Sequence, residues 1–134
     1  MRALLALTLM CSAALAQAAV QTREIPYQDA DGNRLVGYYA YDDAIEGKRP
    51  GIVVVHEWWG LNDYAKRRAR DLAALGYNAL AIDMYGDGKH TEHPQDAQAF
   101  MAAAMKDPAA AAARFDAGLE LLKLQPNTNK HQLG

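Results

Sequence analysis

Serine and cysteine are almost missing from this sequence. Its only cysteine is Cys11 and its only serine is Ser12, so residues 19–134 carry neither. A thiolate or alkoxide nucleophile needs one of them beside a base, so those residues cannot supply such chemistry alone. An excess of one charge is also lacking. Fourteen basic residues face sixteen acidic ones, a net charge of -2, so no global field draws the chain onto nucleic acid or an anionic membrane. Long apolar runs are absent too, the longest falling far short of the roughly 20 residues that span a bilayer. What remains is 51% hydrophobic and 22% charged. This composition excludes collagen-like, coiled-coil and strongly disordered classes and suits one globular domain.

Met1-Arg2 forms a short basic start, Ala3 to Met10 is apolar apart from one threonine, and Ala16-Gln17-Ala18 has the small-x-small pattern of a signal-peptidase site. Residues 1–18 are expected to be a secretory signal, which places residues 19–134 in the periplasm or outside the cell. Met10 stands where a lipoprotein signal wants a small residue, which argues against a lipid on Cys11. Cleavage removes Arg2 and both nucleophile types, leaving 13 basic against 16 acidic residues and no thiol to respond to an oxidising compartment.

Thr22 to Tyr27 and Arg34 to Tyr41 suit strands, and Asp29-Ala30-Asp31-Gly32-Asn33 between them is dense in turn formers, which predicts an antiparallel hairpin. Gly51 to Val55 is a β-branched run without alternation, the pattern of a parallel strand covered on both faces, and is expected near the sheet centre. A helix from Asp63 to Leu75 should bury Ala65, Ala69, Leu72 and Ala73, turn Lys66, Arg67 and Arg70 to water, and end at Gly76 in the left-handed conformation. Asn78 to Ile82 completes a β-α-β unit. Two further helices are predicted, Pro94 to Met105 and Pro108 to Leu124, the second capped by Asp107 with Phe115, Leu119 and Leu122 on its apolar face. Lys130 to Gly134 reads as the approach to another strand. Alternating strands and helices give an α/β doubly wound sheet, expected to stop before its remaining strands and so to leave an apolar edge unpaired.

Val55-His56-Glu57-Trp58-Trp59-Gly60-Leu61-Asn62 runs off the end of a predicted parallel strand into a helix, where open α/β sheets place ligands. A carboxylate beside two tryptophans is expected to be partly shielded, and its pKa raised unless a cation or hydrogen bonds hold the charged form. The competing reading packs Trp58 and Trp59 under the sheet edge and leaves His56 and Glu57 solvated or capping the helix.

Val53 to Asn62, followed by Ala69 to Gly86 with its Leu-Gly-Tyr and Asp-x-Tyr segments, resembles the first half of a dienelactone hydrolase family protein, and the likeness covers most of Gly51 to Gln125. The resemblance implies an α/β-hydrolase fold and a Cys-His-Asp triad, with the cysteine in a Gly-x-Cys-x-Gly elbow on the strand after the helix that ends near Leu124. No such elbow occurs here. For Glu57 the resemblance implies a carboxylate that holds the resting nucleophile and helps convert it to the thiolate. For Trp58 it implies a backbone N–H in the oxyanion hole. Asp83 is expected to fix its loop, since the family's triad aspartate lies downstream of the nucleophile. Family members that cleave dienelactone carry an arginine after the Asp-x-Tyr loop, whereas the stretch Pro94 to Phe100 has none and puts Phe100 near that place. A less charged ester or lactone is the expected substrate, with Trp59, Tyr85 and Phe100 lining its site. The chain is expected to be the N-terminal part of a longer hydrolase and to be inactive alone.

The alternative of another class is a non-catalytic secreted module that binds a small molecule between Trp58, Trp59, Tyr85 and Phe100. A zinc site from His56, Glu57, His90, Glu92 and His93 is disfavoured because His90-Thr91-Glu92-His93 lacks a helical i, i+4 histidine pair. Lys66, Arg67, Arg68 and Arg70 read as one solvated helix face rather than a nucleic-acid surface. Gly86-Asp87-Gly88 lacks the spacing and lysine of a phosphate loop, so no organic cofactor is implied.

Overall fold

The computed structural model describes residues 19–134, so the expected signal segment lies outside the described residues. The first hairpin joins β1 (Val20–Gln28) to β2 (Arg34–Asp42), paired antiparallel from Val20 opposite Asp42 to Gln28 opposite Arg34. Its turn is organised by Asp29, whose Oδ1 accepts from the Asp31 and Asn33 N–H groups at 3.0 and 2.9 Å. A buried aspartate thus does locally what a turn dense in Asp, Gly and Asn suggests.

β3 (Arg49–Val55) follows, then α1 (Asp63–Ala74) and β4 (Asn78–Ile82). Asn62 caps α1 by accepting from the Ala65 N–H, and Gly76 ends the turn after it at φ +97°, the left-handed geometry that glycine adopts without a Cβ penalty. β5 (Thr128–Leu133) closes the described chain. The sheet order is β1-β2-β4-β3-β5. β4 pairs antiparallel with β2 and parallel with β3, and β3 pairs parallel with β5. The central strand is therefore β4, all five of whose residues are buried, and β3 lies beside it, near the sheet centre as its β-branched run suggests, though partly covered rather than buried along its length. Both strands are interior, and their local pattern does not say which neighbour the chain skips.

Alternation along the sheet makes two unlike faces. Ala79 and Ala81 of β4 join Tyr38 and Ala40 of β2 under α1, where Ala65, Ala69 and Ala73 recur every fourth residue. Small side chains on both partners let the helix lie close. Leu80 and Ile82 face the other way, with Tyr39 of β2, toward α3 (Pro108–Lys123). The α1 stripe follows the expectation except that Leu72 is half-buried. Lys66 and Arg70 are not simply solvated: both cations lie over the Tyr38 ring, at 5.5 and 5.8 Å, and Arg70 Nη1 donates to the Tyr38 hydroxyl at 2.9 Å. Their long stems pack while their charged ends meet an aromatic face.

α2 (Pro94–Met105) and α3 form where proline-started helices were predicted, and Asp107 caps α3 through the Ala109 and Ala110 N–H groups. The buried face of α3 includes Leu122, with Leu119 half-buried, as expected, but departs from expectation at Phe115. Gly118 and Leu122 are buried, whereas Phe115 is 38% exposed. Gly118 decides this: a Cβ there would stand 2.4 Å from Ile82 Cγ2, so the helix meets β4 along its glycine. Among the described residues, no helix is long and apolar enough to cross a membrane.

Candidate active site

β3 and β4 run parallel and end side by side, so the segments leaving them, His56 to Asn62 and Asp83 to His93, share one end of the sheet. Each is held by a buried polar residue at its root. Asp83, fully buried, accepts four backbone N–H bonds: Oδ1 from Tyr85 at 3.0 Å and Gly86 at 2.8 Å, Oδ2 from Val36 at 3.2 Å and Gly88 at 2.7 Å. Its own N–H donates to the Tyr27 hydroxyl at 3.3 Å, and burial pushes that phenol up to about 12. A carboxylate so surrounded organises a loop, as the sequence suggested. Arg114 of α3 adds a bond from Nη1 to the Met84 carbonyl at 2.8 Å.

His56 lies buried between the two segments. Its Nδ1 meets the Glu57 carbonyl at 2.8 Å, and its Nε2 accepts the Met84 N–H at 3.1 Å. Burial holds its pKa below the usual histidine value. With both ring nitrogens engaged, His56 is neither solvated nor free for a metal. Among the described residues, no three His, Cys, Asp or Glu side chains gather as a metal-sized cluster.

Gly60 returns the first segment at φ +87°, and a Cβ there would meet the Lys89 carbonyl at 2.1 Å. The close approach lets Gly60 pair with His90 as an isolated bridge, stitching the two segments together. Tyr85 then reaches across, its hydroxyl donating to the Trp58 carbonyl at 2.9 Å and its ring standing edge-on to His56 at 4.6 Å.

Beside this framework opens a cleft of about 300 Å³, lined by His56, Glu57, Trp58, Met84 and Tyr85 on the sheet side and by Met101, Ala104, Met105 and Ala111 from α2 and α3. No lysine or arginine is among its lining residues. Glu57 is exposed at its wall, so the expected shielding by the two tryptophans does not occur; the two indoles pack against each other at 5.0 Å instead. Trp59 turns into a separate open hollow of about 240 Å³ with Asn62, Thr91 and Glu92. Phe100 supports Tyr85 at a ring separation of 5.8 Å but does not line the cleft. The structure thus brings Glu57, Trp58 and Tyr85 together and sets Trp59 and Phe100 apart. Sequence reasoning missed Met84, Met101 and Met105, whose apolar lining role would be suggested only by methionines spaced on a helix facing a loop.

Comparison with known proteins agrees with this architecture. Two solved relatives, one titled m3DLH and the other a dienelactone hydrolase-like promiscuous phosphotriesterase, P91, from metagenomic libraries, superpose with TM-scores of 0.80 at 41% and 36% identity. Each alignment covers 86% of this chain, and 48% and 47% of the respective relatives. Among curated sequences, a Saccharolobus solfataricus protein provisionally named a carboxymethylenebutenolidase is 41% identical over 63 residues, 47% of this chain and 23% of that protein. An Escherichia coli protein provisionally named hydrolase fragment YghX is 45% identical over 60 residues, 44% of this chain and 51% of that protein. The chain thus spans about half the length of the solved relatives it matches, and their sheet architecture makes its fold α/β-hydrolase-like. The model of the dienelactone hydrolase family matches residues 35–134, and the chain belongs to that family.

Proposed function

We propose that residues 19–134 form the N-terminal part of a secreted or periplasmic hydrolase of uncharged ester or lactone bonds, whose cysteine nucleophile lies outside these residues. The observation that carries this reading is that Glu57 and Trp58 stand next to each other at the wall of an apolar cleft that has no cationic lining. Glu57 accepts a hydrogen bond from the resting thiol and takes its proton as substrate enters. The thiolate attacks the carbonyl carbon, the carbonyl π electrons move onto oxygen, and the Trp58 N–H holds the resulting oxyanion. Collapse breaks the ester C–O bond, and the departing oxygen takes up the proton that Glu57 received, leaving as the alcohol; water then attacks the thioester carbonyl, the C–S bond breaks, and the acid and the resting thiol are released. A free substrate carboxylate would meet Glu57 and find no cation, which favours uncharged substrates.

The test joins residues 19–134 to the remaining half of the 41%-identical solved relative and supplies an aryl acetate. Turnover by the chimaera, lowered on the order of a hundredfold by Glu57→Gln as expected for removal of a group that moves a proton, supports the reading; the 134-residue chain alone is expected to be inactive. A folded but inactive chimaera, or Glu57-dependent turnover by the short chain, refutes it.

A further inference from the structure

We infer that His56 is a positioning residue, which clamps the Glu57–Trp58 peptide so that the Trp58 N–H is aimed away from the protein and kept free for an anionic oxygen. The inference rests on the reading of Trp58 as an oxyanion donor and supplies the device that aims it.

A trans peptide is planar, with its C=O and N–H directed oppositely, and the described chain has no cis bonds. Fixing the Glu57 carbonyl therefore fixes the Trp58 N–H. That carbonyl is held twice, by His56 Nδ1 at 2.8 Å and by the Gly60 N–H at 3.1 Å, which occupies both lone pairs. Among the described residues, the Trp58 N–H has no acceptor. The next peptide is held as well, because the Trp58 carbonyl accepts from the Tyr85 hydroxyl. Bonds from a ring nitrogen, a backbone amide and a phenol thus secure two consecutive peptide planes.

The imidazole can do this in one protonation state only. The Met84 N–H can only donate, so Nε2 must be bare; the Glu57 carbonyl can only accept, so Nδ1 must carry the proton. Met84 is itself tethered to α3 through Arg114, so the clamp has a rigid anchor. Burial, which disfavours the imidazolium, keeps the ring neutral. His56 therefore links the end of β3 to the end of β4 and transmits that rigidity to one N–H.

The test is heteronuclear NMR of the 134-residue chain. Ring nitrogen spectra at neutral pH should show His56 with Nδ1 protonated and Nε2 bare. The Trp58 amide order parameter should be that of rigid backbone, about 0.85, in the native chain and in His56→Gln, whose amide offers an NH₂ to donate and a carbonyl oxygen to accept; in His56→Leu it should fall below about 0.6. A bare Nδ1, a doubly protonated ring, or a Trp58 amide equally rigid in the leucine variant overturns the clamp. If the leucine variant does not fold, the native tautomer and the glutamine variant decide: a folded glutamine variant with a mobile Trp58 amide overturns it. No readout requires turnover, so an inactive chimaera with these spectra intact counts against the hydrolase reading alone.

Discussion

Asp83→Asn is the most informative single change, because it exchanges one carboxylate oxygen at the root of the site for an NH₂ group with almost no change in size. In the native chain each carboxylate oxygen accepts two backbone N–H bonds. The amide retains one oxygen and two of the bonds, and its NH₂ now faces two N–H donors that it cannot satisfy. Hydrogen bonds to a charged group contribute about 1.5–3 kcal/mol each, and stranded buried donors cost about 1–3 kcal/mol, although such values do not add fully. Loss of two of four therefore predicts destabilisation of about 3–5 kcal/mol, a large share of the roughly 5–15 kcal/mol typical of a domain. Equilibrium urea unfolding followed by tryptophan fluorescence measures it. With a slope of about 1.5 kcal/mol per molar, the midpoint should fall by at least about 2 M. A drop corresponding to less than about 1 kcal/mol would show that the loop stands without the carboxylate's four bonds and would refute the reasoning.

Gly118→Ala pits helix propensity, worth about 1 kcal/mol in favour of alanine, against overpacking on Ile82, typically about 1–3 kcal/mol. The 2.4 Å approach makes overpacking win, so thermal unfolding should show net destabilisation; a stabilised variant would mean that α3 slides freely. Glu57→Gln should leave stability within about 0.5 kcal/mol by urea titration, since the side chain is exposed and makes no structural bond. Stability should also fall with acidification: the His56 pKa is depressed by burial, opposed in part by the hydrogen bond to the Glu57 carbonyl and by the Asp83 charge, so the unfolded chain binds the proton first. The contribution of His56 is present above about 6.5 and lost as pH falls through the lower folded value. His56→Gln should flatten that slope, and an unchanged slope would assign the acid sensitivity to other groups.

Much of the scaffold is local physics and therefore legible in order along the chain. The hairpin turn needs only the carboxylate of Asp29 and the residues beside it, Asp107 caps the helix it precedes, and Gly76 is left-handed because its own φ demands a glycine. The position of Glu57 and Trp58 at a strand end is equally local. The candidate site was less legible, because its shape comes from contacts between segments distant in sequence. Whether Glu57 is shielded depends on where two indoles turn, and Trp59 turns into a different hollow. Whether His56 is a base, a ligand or a strut depends on Met84, twenty-eight residues away.

By itself, the sequence determined the chemical inventory and the periods: no serine or cysteine after residue 18, small residues every fourth position along α1, and a β-branched run without alternation from Gly51 to Val55. Only the tertiary structure decided that β4 lies at the centre of the sheet, that Phe115 faces outward, and that a buried imidazole holds the peptide before Trp58. The physical reason is the range of the forces involved. Dihedral preferences and caps act within a few residues, whereas strand pairing, the face a helix buries and the partners of a buried polar atom are settled by whichever distant groups arrive at contact distance.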